Sequence, residues 1–220
     1  MAAAYAAAFL RFMQEITALT RQKRNPDRVN VFLDGEFAFG LAEISAARLR
    51  VGQSVSPDDI AVLQQEDTLE KAKQSAFRYI SYRPRSIAEV ERNLRGKSYD
   101  ELVITQVVTR LQELQLLDDL SFTQFWVEQR ETFKPRSALA LRQELMQKGV
   151  ARDIIDEALA DVDETAVAHK AAAMRVNRWQ HLPEDQFRKK MGGYLQRRGF
   201  NYAVIREITD ELWENLSHDH

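Results

Sequence analysis

Cysteine is absent from the 220 residues, so disulfides and thiolate metal sites are excluded and a reducing compartment is compatible. Turn-formers are sparse, with eight glycines and five prolines. With 45% hydrophobic and 29% charged residues, the chain is rich in regular elements and able to build a core. Long apolar runs are lacking too. The opening MAAAYAAAFLRFMQE has no positive charge ahead of its alanines and meets Arg11, too short for a span and without secretory flanks. Residues 1–15 are therefore read as a poorly ordered lead-in, and a cytoplasmic protein is expected.

The motifs of common chemistries are missing as well. There is no phosphate-cradling glycine loop, no G-x-S-x-G and no H-E-x-x-H, so no enzyme activity, no cofactor and no metal site is predicted. His169 and His181 lie on helical segments without a second ligand at i+3 or i+4, and His218 and His220 are in the last three residues; all four are assigned structural or tail roles. The adjacent Asp118 and Asp119 are assigned to helix capping. A net charge of −2 leaves no overall basic excess for phosphates, although charge is unevenly spread. Residues 153–164 carry six acids and no base, whereas residues 169–206 carry nine bases against Glu184 and Asp185.

What is present begins with a period of two. In VNVFLDGEFAFGL, Val29, Val31 and Leu33 alternate, as do Phe37, Phe39 and Leu41, with Asp34-Gly35 between them. Asp-Gly between alternating runs predicts a hairpin, since both central residues of a type I′ turn need positive φ. Ile16–Gln22 offers a third strand. A helix over Ala42–Gly52 is the expected packing partner, followed by another capped at Ser56 with Pro57 first and Asp58 and Asp59 on the dipole.

From Leu69 the period is helical. LRGKSY, LMQKGV and LQRRGF, anchored on Leu94, Leu145 and Leu195, recur at spacings of 51 and 50 residues. Downstream, Val103/Ile104, Ile154/Ile155 and Val204/Ile205 share one register, followed by Val107, Ala158 and Ile208, then Leu111, Val162 and Leu212. Self-similarity at this period marks stacked supersecondary units. Each unit reads as three short helices. Ser86 with Glu89 forms a capping box at helix two of the first, and Gly149 and Gly199 sit where a left-handed C-terminal residue is expected. Helix two is only about ten residues long, below the ~12–15 at which an isolated helix is even marginal, so the units must stabilise one another. The fold expected is mainly α: tandem three-helix repeats in an elongated curved array behind a small N-terminal β-hairpin or meander with helices. The boundaries are 1–15 lead-in, 16–68 N-terminal element, 69–119, 120–163 and 164–216 repeats, and 217–220 tail.

Basic residues recur at fixed places in the units. Arg83 and Arg85 flank Pro84, and Lys134 and Arg136 flank Pro135; Lys148, Arg197 and Arg198 close helix two. Such recurrence would lay cations along one edge, suited to a polyanion or an acidic protein surface. These seven are the candidate partner-binding residues. Phe122, Phe125 and Trp126, at i, i+3 and i+4, are assigned to the core.

The segments SYRPRSIAEVERNL, LQLLDDLSFTQFWVEQR and PRSALALRQELMQKGVARDIIDEAL resemble the RecX regulatory proteins, bacterial modulators of the RecA recombinase. VNVFLDGEFAFGL with LRVGQSV is similar to the N-terminal extension of some members. The resemblance runs from about Ile16 to Leu216, strongest in the middle unit. Ser98 stands where glycine is usual, and the third unit, with Gly192-Gly193 inside helix two, matches least well. The resemblance implies a monomeric, non-enzymatic regulator of homologous recombination, DNA repair and the SOS response. It also implies a RecA–DNA filament as partner, bound in its groove across neighbouring subunits, with no membrane or small-molecule substrate. A filament repeats its surface, so a repeated ligand could gain through effective concentration. The alternative is a helical DNA-binding module acting on DNA directly.

Overall fold

The computed structural model describes residues 13–218; the lead-in through residue 12 and His220 lie outside the described residues. The chain divides into two compact units, one running to Tyr79 and including Leu94–Thr109, the other comprising Ile80–Asn93 and everything from Arg110.

In the first unit, strands β1 (Gln14–Gln22), β2 (Asn25–Leu33), β3 (Glu36–Ala42) and β4 (Ser54–Val55) form an antiparallel sheet in the order β3-β2-β1-β4. The expected hairpin is present, with φ of 51° at Asp34 and 89° at Gly35, as its turn demands. Gln14 and Glu15, which the sequence pattern assigns to the lead-in, are strand residues paired with Val55 and Ser54. Val29, Val31, Leu33 and Leu41 are buried, but Phe37 is 59% exposed, contrary to the simple alternation. The cause is a register shift. Val31 faces Phe39 while Phe32 faces Phe37, so Ala38 is an extra residue and the side chains beyond it change face.

Helix α1 (Glu43–Ala46) is a single turn where a helix to Gly52 is expected. The following backbone bonds β1 instead: Ile16 N–H donates to Gln53 O at 2.9 Å and Gly52 N–H to Ile16 O at 2.8 Å. Helix α2 spans Pro57–Ser81 without a break, correcting the expectation of two helices meeting near Leu69. No glycine or proline interrupts it, and Asp67 is not a cap. Its buried carboxylate accepts two hydrogen bonds of 3.0 Å from Arg28 and one of 3.1 Å from Ala42 N–H. Burial works to raise the Asp67 pKa, but hydrogen bonds from Arg28 and Lys71 outweigh it and hold the group below the usual carboxylate value.

The remaining helices are α3 (Ile87–Arg95), α4 (Glu101–Glu113), α5 (Asp119–Phe133), α6 (Ala138–Lys148), α7 (Arg152–Leu159), α8 (Glu164–Trp179), α9 (Glu184–Gln196) and α10 (Tyr202–His218). They form tandem trios, the first completed by the C-terminal part of α2. Leu94, Leu145 and Leu195 are all fully buried. Each carbonyl accepts the amide five residues on, from Tyr99 at 3.4 Å, Val150 at 3.2 Å and Phe200 at 3.3 Å. The intervening Ser98, Gly149 and Gly199 have φ of 62°, 84° and 92°, so Ser98 adopts the left-handed ending although it lacks glycine's freedom.

In the second unit, Phe122, Leu141, Leu145 and Ile155 centre one core, and Phe187, Met191, Leu195 and Ile208 centre another. Val162 packs against both. The expected inward position Ala158 is only half-buried, and Leu159 takes its place. Helix α7 is eight residues long and ends there, so the register downstream of it is set by the loop.

Candidate partner-binding surface

The basic residues singled out by sequence converge on two joints, each between the start of one helix two and the end of the next. At the first, Ser86 and Glu89 form the expected reciprocal box: Glu89 N–H donates to Ser86 Oγ at 3.2 Å and Ser86 N–H to the Glu89 carboxylate at 3.3 Å. The same carboxylate accepts from Arg83 at 2.9 Å and from Lys148 Nζ at 2.8 Å. Burial would push the Glu89 pKa up, but these two cations dominate and lower it to about 2. Lys148 Nζ also lies 4.7 Å from the Trp126 ring centre, within cation–π range. Ser86 Oγ–H donates to Lys148 O at 2.7 Å. A Cβ on Gly149 would stand 2.3 Å from Ala88 Cβ, so helix end and helix start meet in direct contact.

The second joint repeats the geometry with other groups. Ser137 N–H donates to Arg198 O at 3.1 Å. A Cβ on Gly199 would meet Ser137 Oγ at 2.5 Å and Ala140 Cβ at 2.8 Å. Arg198 donates to Pro135 O at 2.9 Å and lies 4.4 Å from the Tyr194 ring centre. At both joints a carboxylate from the next helix one caps the first amide of helix two: Asp119 accepts from Ile87 at 2.9 Å, and Glu164 from Ala138 at 2.7 Å. Burial raises the Asp119 pKa against the opposing effect of that hydrogen bond.

The seven predicted residues thus divide. Arg83 and Lys148 hold Glu89, Arg136 Nε lies 3.1 Å from Glu144, and Arg198 holds Pro135. Arg85 is half-buried and engaged within the chain. Lys134 and Arg197 are exposed, and no ion pair or side-chain hydrogen bond engages either among the described residues. Sequence reasoning passed over two neighbours of the basic positions, Tyr82 (77% exposed) and Phe133 (71% exposed). They occupy equivalent places 51 residues apart, a signal present in the repeat itself.

The other assignments are also placed. Asp118 caps α5, accepting from Ser121 N–H. Phe122 is core, and its ring is 5.8 Å from that of Trp126, whose Nε1–H donates to Glu144. His169 faces Glu211 at 3.1 Å and His181 is exposed. Among the described residues no group of three or more His, Asp or Glu side chains is placed to hold a metal ion. Nor is any helix among them long and apolar enough to cross a membrane.

Comparison with known proteins matches four successive segments to family descriptions. Residues 14–56 match the regulatory protein RecX N-terminal domain, and residues 72–111, 118–159 and 162–209 match the first, second and third RecX three-helix domains. A regulatory protein RecX of Clostridium botulinum is 32% identical over 206 residues, covering 90% of this chain and 96% of the relative. That of Bacillus subtilis is 32% identical over 209 residues, covering 92% and 79%. A crystal structure of regulatory protein RecX superposes with a TM-score of 0.67 at 27% identity, covering 90% of this chain and 99% of the other. RecX from Lactobacillus salivarius does so at 0.57 and 25%, covering 67% and 97%.

Proposed function

The chain belongs to the RecX family of regulatory proteins, and from that premise we propose that it is a non-enzymatic, monomeric, cytoplasmic regulator of the RecA recombinase. In this reading it binds in the groove of the RecA–DNA filament across neighbouring subunits and restrains recombination and DNA repair. The observation that supports it is a tandem series of helical trios whose helix-two endings recur at Leu94, Leu145 and Leu195 with one hydrogen-bond pattern. A ligand with repeated units suits a partner with repeated units, because linked weak contacts gain from effective concentration. The exposed Lys134 and Arg197 are the proposed contacts of the seven. Arg83, Lys148 and Arg198 act in this reading by holding the joints, Arg136 pairs with Glu144 inside the middle trio, and Arg85 is retained as a proposed contact. The test is RecA-driven DNA strand exchange with the protein added well below one copy per RecA. The rate should fall; an unchanged rate overturns the reading.

A second reading is supported by the aromatics. Tyr82 and Phe133 are exposed beside Arg83 and Lys134, a combination suited to stacking on single-stranded nucleic acid. Titration of naked DNA against salt separates the two: tight binding without RecA and a steep salt slope favour direct DNA binding.

A further inference from the structure

Strand β3 stands at the end of the sheet, so one of its sides has no neighbouring strand among the described residues. An end strand offers a row of free N–H and C=O groups to any other strand that meets it. Gly40 and Ala42 are two residues apart and project their backbone groups to the same side. There the Ala42 N–H donates to Asp67 Oδ1 at 3.1 Å, and the Gly40 carbonyl accepts from Arg28 Nη2 at 2.9 Å. Arg28 and Asp67 are joined to each other by two hydrogen bonds of 3.0 Å, and Lys71 holds the second carboxylate oxygen at 2.7 Å. One carboxylate and one guanidinium thus supply the acceptor and the donor that a fifth strand would bring.

Stability alone does not account for these charges. The side chains of Arg28 and Asp67 are only 13% and 4% exposed, and a buried ion pair gives at best a small gain over apolar side chains of the same volume. The chain also makes room for the pair: a Cβ on Gly40 would stand 3.4 Å from Arg28 Nη2 and 2.8 Å from Gln22 Nε2. The rest of the sheet border is closed by other means. The extra residue Ala38 bends the other half of β3, as a bulge does at a managed edge. The opposite border is β4, only two residues long and too short to template a further strand.

We propose that the Arg28–Asp67 pair is an edge guard: it occupies the open side of β3 in place of a strand and keeps the N-terminal sheet from pairing with a second copy of this chain. Symmetry identifies the partner kept out. The open sides of two β3 strands are self-complementary when the strands run antiparallel about a two-fold axis, and such a contact needs no second surface. Phe37 on the same strand is 59% exposed and supplies apolar area to the contact once the side is open. The guard acts within the N-terminal sheet, so it stands or falls separately from any role with RecA.

The test is the double variant Arg28→Met/Asp67→Leu in the full chain, which keeps side-chain volume at the site while removing the donor and the acceptor. Sedimentation across a wide concentration range should show wild type as a monomer and the double variant as a dimer, with self-association at least about tenfold stronger. In the dilute double variant the Ala42 amide should exchange with solvent at least about tenfold faster than in wild type, and regain protection as the dimer forms. Arg21→Ala, which breaks the exposed Arg21–Glu43 pair on the same sheet, should leave the chain monomeric. A double variant that stays monomeric overturns the proposal, whether its melting temperature is unchanged or lower; a lower one is the behaviour of a pair that only ties α2 to the sheet. A dimer in which the Ala42 amide stays unprotected overturns it as well, because the contact then lies elsewhere. Should the double variant fail to fold, Asp67→Ala with Arg28 kept withdraws the acceptor from Ala42 alone: self-association supports the guard, and a folded monomer overturns it.

Discussion

The two joints of the helical trios share a backbone plan and differ in how they are locked. Ser86 and Ser137 stand at the same place, as do Gly149 and Gly199, and each pair brings a helix start against a glycine that has no room for a Cβ. Three residues after the serine, however, the first joint has Glu89 and the second Ala140. The first is therefore ionic: a buried carboxylate gathers Arg83 and Lys148 from positions far apart in the chain. The second has no such acid, so Arg198 turns to a carbonyl and an aromatic face. Backbone fit is thus common to both, while the charge chemistry differs, and the Glu89 cluster makes the first joint sensitive to pH.

The most damaging changes should be those that fill the glycine contacts. Gly149→Ala adds a Cβ into Ala88 and left-handed strain of ~1–2 kcal/mol; a loss of about 3–5 kcal/mol is expected in urea unfolding. Gly199→Ala should lose somewhat less, since Ser137 Oγ, its nearest neighbour, can rotate away.

Glu89→Gln should come next, at about 2–4 kcal/mol near neutrality, because it leaves two cations at the joint without their acid. The folded Glu89 pKa of about 2 lies below its ordinary 4.5. Its contribution is then complete above about 4.5 and lost as pH falls towards about 2. Melting curves of wild type and variant should converge across that window. Arg198→Ala should lose only about 1–2 kcal/mol, unchanged over the same range. A parallel pH response in the two variants would erase the distinction between the joints. The smallest effect is a gain: Ser98→Gly should stabilise by up to about 1 kcal/mol, by relieving a left-handed serine.

Much of this architecture is visible in the residue pattern because the determinants are local. The Asp34-Gly35 turn, the Ser86–Glu89 box, the Asp118 cap and the leucine-anchored helix endings all act within five residues. The misread features depend on distant partners. Phe37 is turned outward by an extra residue in β3, α1 is cut short by bonds to β1, and Asp67 serves Arg28 from 39 residues away. The same limit affects the candidate surface. Arg83, Lys148 and Arg198 read as a basic edge because their partners, up to 63 residues distant, leave no trace in spacing. Lys134 and Arg197 look identical to them in sequence and differ in that no ion pair or side-chain hydrogen bond engages either among the described residues.

The joint also sets a sequence requirement that the three trios meet unequally. Docking needs a glycine at the end of one helix two and a serine at the start of another. The first trio offers Ser98 for the glycine, and the third begins its longer helix at Pro183, with no hydroxyl. Copies of the chain therefore lack the matching surfaces to stack end on end through this joint. The serine-glycine docking is thus used twice, and the helix-two start at Pro183 and the helix-two end at Ser98 are left without a counterpart of this kind among the described residues.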